Sequence, residues 1–161
     1  MNTKEKVLIH RGMDKVKRLE FQEAVEIFDR VIAMNSQIPE AWNNKGVALF
    51  QMGQTEESIK CYETSLSIDP DNLEAMRNMG FALRCLGRME EALQAYDSVI
   101  QQGGEALDLE SKATVLAAMG RLEEALDCLH QAMRAEPMDR FQEEIAVLMG
   151  LIQQRDSPAS S

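Results

Sequence analysis

Two histidines, three cysteines, three acidic pairs and one Gly-Gly step are where this chain could do chemistry. His10 is followed by Asp14, and a helical i, i+4 His/Asp pair can hold a metal ion. Two ligands make a poor site, so His10 reads as a solvated side chain. His130 stands two residues after Cys128, which puts the two on different sides of a helix. Cys61 and Cys128 occupy equivalent places in a repeating pattern, the mark of a small packing residue rather than a reactive thiol. Glu56-Glu57, Glu90-Glu91 and Glu123-Glu124 have the composition of acid/base pairs. Each opens a helical stretch, where carboxylates favour the positive end of the helix dipole. Gly103-Gly104 precedes another helix, but no phosphate-binding glycine pattern surrounds it, so it reads as a linker. No nucleophile, base and orienting group are spaced to meet. The expectation is a protein that is not an enzyme, with no cofactor and no metal site.

Composition narrows the partners. The 161 residues carry a formal charge of −10, which disfavours attraction to nucleic acid or anionic lipid. Residues 1–38 hold 7 basic and 6 acidic side chains, so the remainder carries −11. An odd cysteine count without a C-x-x-C pair argues against a disulfide framework. The N-terminus has no secretory apolar region, and no stretch approaches the roughly 20 apolar residues of a membrane span. A cytoplasmic location is expected.

The elements that must position any site are repeats. Gly12, Gly46 and Gly80 are spaced by 34, as are Ala24, Ser58 and Ala92, with Ala125 following 33 later. Gly53, Gly87 and Gly120 each precede one of the acidic pairs. Between these marks apolar residues recur at three- and four-residue steps, as in Trp42, Leu49 and Met52, then Ile59, Tyr62 and Leu66. Each unit is therefore a helix, a glycine turn, a second helix and a polar link, with Pro39, Pro70 and Pro137 in the links. One such pair cannot bury both its faces, but stacked copies can.

At these residues the chain resembles the tetratricopeptide repeat family. Pro39, Trp42, Gly46, Leu49, Gly53, Ser58, Tyr62 and Pro70 carry the match best. Met76, Gly80, Leu83, Ala92 and Tyr96 follow in the third unit, and Leu109, Ala113, Leu116, Ala125, Leu129 and Pro137 in the fourth. The first supplies Leu8, Gly12, Ala24 and Phe28, but departs from the pattern at Lys15 and Leu19. The third unit is a residue short and has Gly103-Gly104 where a proline would stand. The resemblance implies an all-α fold, a right-handed α-solenoid of four helix pairs at about 5–38, 39–72, 73–105 and 106–139. A capping helix at about 140–153 would complete a single array over 1–154, with 155–161 as a disordered tail.

The resemblance also implies a function, a non-catalytic scaffold that binds an extended peptide or partner segment along a groove lined by the first helices. In repeat phase that groove holds Lys6, His10, Met13 and Lys17, then Asn43, Asn44, Val47, Phe50 and Gln51. Arg77, Asn78, Phe81 and Arg84 come from the third unit, and Glu110, Ser111 and Thr114 from the fourth. Asn44 and Asn78 are 34 apart and form two rungs of an amide ladder able to grip a peptide backbone. Lys6, Lys17, Arg77 and Arg84 oppose Glu40, Glu74 and Glu110, a slightly positive groove on an acidic protein. The carboxylate clamp of chaperone-tail binders is not reproduced: only Asn44 matches, while Ile9, Met13, Glu74 and Asn78 replace its other residues. A small-molecule sensor or a regulatory subunit of an enzyme is the alternative from another class.

Ile145 to Ile152 is an eight-residue run without a polar side chain. Phe141, Ile145, Leu148, Met149 and Ile152 should pack on the fourth unit, leaving Val147 and Leu151 on the adjoining flank. That flank suits self-association, which would make the chain a homo-oligomeric structural module through its last helix.

Overall fold

The computed structural model describes residues 1–157, and among them the repeat pattern yields nine α-helices and no strand. In order they are α1 (Thr3–Lys17), α2 (Phe21–Met34), α3 (Pro39–Gln51), α4 (Thr55–Ile68), α5 (Leu73–Cys85), α6 (Met89–Gln101), α7 (Ala106–Ala118), α8 (Leu122–Ala135) and α9 (Asp139–Asp156). The helices cluster into two compact units, Met1–Gly87 and Arg88–Ser161. None of the described helices is long and apolar enough to cross a membrane.

In the first unit, α1 lies on α2 and α3 on α4. The small residues of the motif make this close approach possible. A Cβ built on Gly46 would stand 2.5 Å from Tyr62 Cε1, and one on Gly12 would stand 2.6 Å from Phe28 Cε1. Both rings are buried, Phe28 at 0% and Tyr62 at 2% exposure, so neither can swing aside. Ser58, the small residue of the second helix, is fully buried and donates from its hydroxyl to the Thr55 carbonyl. Ser65 Oγ donates to the Pro39 carbonyl at 2.9 Å, pinning α4 to the start of α3.

In the second unit, α7 pairs with α8, α6 lies on α7, and α8 on α9. Here Ala113 and Leu129 take the places of Gly46 and Tyr62, and both are buried. A branched aliphatic chain leaves room for a methyl where a ring does not. Phe141 and Leu148 of α9 are buried in the same cluster.

The turns inside the pairs share one geometry. Gly53, Gly87 and Gly120 have φ near +76 to +78°, which a residue without Cβ adopts freely. In the first pair the equivalent residue is Leu19, with φ +62° and 74% of its surface exposed. The turn still closes: Leu19 N–H donates to Val16 O and Glu20 N–H to Lys15 O, as Gly53 and Gln54 donate to Phe50 O and Leu49 O. Lys15 replaces the buried leucine of the other pairs and ion-pairs with Glu20 and, at 2.6 Å, with Glu23. Both departures of the first unit therefore meet in one turn.

The short third unit has a local cause. α2, α4 and α8 end in an extended residue, whereas α6 ends in a turn with Gly103 at φ +90°. A Cβ on Gly104 would sit 3.0 Å from the Val99 carbonyl, so the second glycine is needed for close approach. α7 then starts with a capping box between Glu105 and Asp108.

The last helix departs from expectation in two ways. It extends to Asp156, held by the ion pair of Arg155 with Glu123 on α8, so residues 155 and 156 of the expected tail are helical. Residues 158–161 of that tail lie outside the described residues. Met149 is 48% exposed rather than packed, because Phe141, Ile145 and Leu148 fill the stripe against the fourth pair and Met149 falls beside it.

Two outcomes follow. Replacing Leu19 by Gly should raise stability by roughly 0.5–1 kcal/mol in urea unfolding, because relief of about 1–2 kcal/mol of left-handed strain exceeds the entropic cost of glycine. Loss of stability would show that Leu19 contributes packing its exposure does not suggest. Gly46→Ala should cost about 1–3 kcal/mol by overpacking, and Tyr62→Leu added to it should couple favourably, since the pair then copies Ala113 and Leu129. Strict additivity in the double-mutant cycle would contradict the steric account.

Candidate binding site

The face of the first unit turned away from α2 and α4 carries the sequence-predicted residues in register. Glu40, Asn44, Val47 and Phe50 follow at helical steps along α3, and Glu74, Asn78, Phe81 and Arg84 stand 34 residues later on α5. Lys6, His10 and Met13 occupy the matching places on α1.

At one end of this face lies an aromatic and cationic cluster. The Phe50 and Phe81 rings meet edge-to-face with centroids 5.4 Å apart. The Arg84 guanidinium sits 5.0 Å from the Phe81 ring centroid. Phe81 is 43% exposed and Phe50 half-buried, so the cluster faces solvent with both rings partly uncovered. Such a surface offers stacking area, apolar area and positive charge together.

At the other end is a cleft of about 410 Å³ lined by Met1, Lys6, Ile9, His10, Met13, Glu40, Asn44 and Glu74. His10 Nδ1 is 2.8 Å from the Lys6 carbonyl within its own helix. No three of His, Cys, Asp and Glu gather to hold a metal ion among the described residues.

The amide ladder is partly built into the fold. Asn44 Nδ2 donates to the Glu40 carbonyl at 2.8 Å. Asn78 Nδ2 donates to Asn43 Oδ1 at 3.0 Å, and Asn43 Nδ2 donates to Glu74 Oε1 at 3.2 Å. Asn43 is 2% exposed, so it is a buried bridge from α3 to α5 rather than the groove-lining residue the repeat phase suggests. Asn43, the chain neighbour of the first rung Asn44, is therefore packed inside, in register with the buried Ile9. Each rung keeps its carbonyl oxygen and its second amide N–H for a ligand. Arg77 is half-buried on the same helix, and Lys17 is exposed at the end of α1, 4.0 Å from Asp14.

The cysteines at equivalent places have equivalent surroundings. Burial pushes the thiols of Cys61 and Cys128 up, overriding Lys45 near the first and Lys112 near the second. Those lysines bridge to the preceding repeat, Lys45 to Asp29 at 2.5 Å and Lys112 to Asp97 at 2.6 Å. The acidic pairs lie in the first turns of α4, α6 and α8, and Glu91 and Glu124 are held by Arg88 and Arg121. Those arginines keep both carboxyls below their ordinary range.

In the second unit α9 contributes, beside its packing stripe, a face that continues that of α7. Phe141 and Leu148 lie 33 residues after Asp108 and Val115, and all four are buried. In that register Glu144 and Val147 of α9 take the places of Ser111 and Thr114 of α7, on its first-helix face. Val147 is 62% exposed and Leu151 45%. Glu110, counted with the first unit's charges from sequence, is bound by Arg140 at 2.6 Å.

Two family models match, both described as tetratricopeptide repeat, over residues 39–72 and 61–94. No curated protein matches the chain by sequence. Among solved structures, the chain is similar to MamA from Desulfovibrio magneticus at 16% identity and a TM-score of 0.81, over 98% of this chain and 99% of that one. It is similar to pilF of Pseudomonas aeruginosa at 16% identity and 0.81, over 93% and 69%. The Sgt2 tetratricopeptide domain of Aspergillus fumigatus matches at 19% identity and 0.71, over 76% and 83%. These likenesses show the fold.

The two asparagines should separate on substitution. Asn78→Ala leaves the buried Asn43 oxygen without a donor and should lower stability by about 1–3 kcal/mol, whereas Asn44→Ala should change it by under about 0.5 kcal/mol. Equal effects in thermal unfolding would mean that the bridge through Asn43 is not formed.

Proposed function

We propose that this chain, a tetratricopeptide-repeat protein, is a non-catalytic scaffold whose first unit holds an extended peptide or partner segment along its first-helix face. One observation carries the reading: Phe50, Phe81 and Arg84 form an exposed aromatic and cationic cluster on the helices that also present Asn44 and Asn78. Backbone groups of the segment meet the asparagine oxygens. An acidic side chain meets Arg84 and Arg77, with Lys17 adding positive charge at the end of α1. An apolar side chain covers Phe81. The partner is a protein; a net charge of −10 disfavours nucleic acid and anionic membrane. The clefts of about 400 and 410 Å³ have no Phe, Tyr or Trp in their lining, which supports a peptide over a small-molecule ligand or a sensor role.

A second reading, self-association through α9, is favoured by the exposure of Val147, Met149 and Leu151 on one helix. Concentration-dependent mass in sedimentation, abolished by Val147→Glu with Leu151→Glu at unchanged helix content, would support it.

The first reading is tested with peptides that place an acidic residue beside an aromatic one, measured by fluorescence anisotropy. Phe81→Ala with Arg84→Ala should weaken binding at least about tenfold, since an anchoring aromatic and its cation are each worth 1 kcal/mol or more. Asn44→Ala should weaken it about two- to tenfold. Affinity indifferent to these changes would remove the face from consideration.

A further inference from the structure

The second unit carries a cleft of about 400 Å³ among α7, α8 and α9. Its apolar lining comes from Ala113, Ala117, Leu129 and Leu148, and Val147 stands beside them with 62% of its surface in water. Thr114 lines it too, but its hydroxyl is spent on the Glu110 carbonyl at 3.0 Å. The remaining lining residues are carboxylates, Glu143 and Glu144.

The charge is one-sided. Glu144 lies within hydrogen-bonding reach of Glu110. Arg140 is the basic group that offsets them, and it is already bound to Glu110. Three carboxyl groups stand against one guanidinium, which leaves the cleft acidic beside apolar carbon. Burial and the neighbouring Glu110 both push the Glu144 carboxyl up, as expected of an acid short of a cation. The first unit's face has the opposite character, with Arg84 on aromatic rings.

We propose that this cleft is a second binding site, specific for a basic segment of a partner protein that inserts a leucine-sized apolar side chain. The side chain would seat against Ala117 and Val147, removing the exposed valine from water. Lysine or arginine flanking it would reach Glu143 and Glu144, supplying the cation that Arg140 cannot. Charge complementarity selects a basic occupant: an anionic lipid, or a second copy docking through its own α9, would add like charge at the rim. The proposal is independent of the first unit's face, because it uses other residues and the opposite sign.

The probe is a labelled, end-blocked peptide of glycine with a central Lys-Leu-Lys, compared with Lys-Ala-Lys and Glu-Leu-Glu versions by fluorescence anisotropy on the full chain. The Lys-Leu-Lys peptide should bind. The alanine version should bind at least about fivefold more weakly, and the glutamate version should not bind. Glu143→Gln with Glu144→Gln should weaken binding at least about fivefold and flatten its salt dependence. Val147→Asn should weaken it without that change in salt dependence, and Phe81→Ala with Arg84→Ala should leave it unchanged. Helix content by circular dichroism accompanies each variant; Val147 and Glu143 are exposed, so both should keep it. Equal binding of the Lys-Leu-Lys and Glu-Leu-Glu peptides overturns the proposal, as does undetectable binding at millimolar peptide. So does loss of binding through the first-unit variant alone. Concentration-dependent mass that Val147→Asn removes would give the cleft to a second copy of the chain and overturn it as well.

Discussion

The separation between a first-helix backbone and a second-helix ring decides how closely the two helices of a pair can lie. At Gly12 and Gly46 the rings of Phe28 and Tyr62 occupy the volume a methyl group would need. Everything outward of that contact depends on it. The glycine turn can close in a few residues only because the helix ends are near. The face presented by α1, α3 and α5 is in register only because each pair repeats the same approach. In the second unit Ala113 with Leu129 meets the same constraint with other volumes. The rule is complementary size across the contact rather than glycine as such.

Where the chain departs from its own pattern, a local interaction maintains the geometry. Leu19 adopts a backbone conformation that costs a residue with a Cβ, and the turn around it keeps the same two backbone hydrogen bonds as its glycine counterparts. Lys15 stands where the other pairs bury leucine, and its ammonium is met by Glu20 and Glu23 at the start of the next helix. The end of α6 replaces an extended link with a glycine turn and loses one residue in doing so. Repeat proteins tolerate such exchanges because each pair contacts only its neighbours.

Charge is distributed differently on the two units. Each has a lysine from one repeat reaching an aspartate of the preceding repeat, Lys45 to Asp29 and Lys112 to Asp97. These pairs lie beside the buried cysteines, whose thiols stay neutral despite the nearby ammonium because burial outweighs it. On the first-helix faces the units part company. Arg84 lies over Phe81 in the first, while Glu143 and Glu144 edge an apolar cleft in the second. A scaffold with faces of opposite sign can discriminate between partner segments before any close fit is tested.

The helix pairs, their turns and the phase of each face were legible in the sequence, because glycine and alanine recur at 33 or 34 residues and helical periodicity carries the rest. That is why Asn44, Asn78, Phe50, Phe81 and Arg84 could be placed together on α3 and α5. Periodicity has no term for the third dimension within one turn of helix. Asn43 and Asn44 differ by one position, and only packing against α5 decides that Asn43 is buried and holds Asn78 and Glu74. The same limit applies to α9. Its sequence separates a packing stripe through Phe141 and Leu148 from a flank with Val147 and Leu151, but not what that flank stands beside. Only the tertiary structure sets Phe141 and Leu148 in the places of Asp108 and Val115, and so turns Glu144 and Val147 toward the face where α7 presents Ser111 and Thr114.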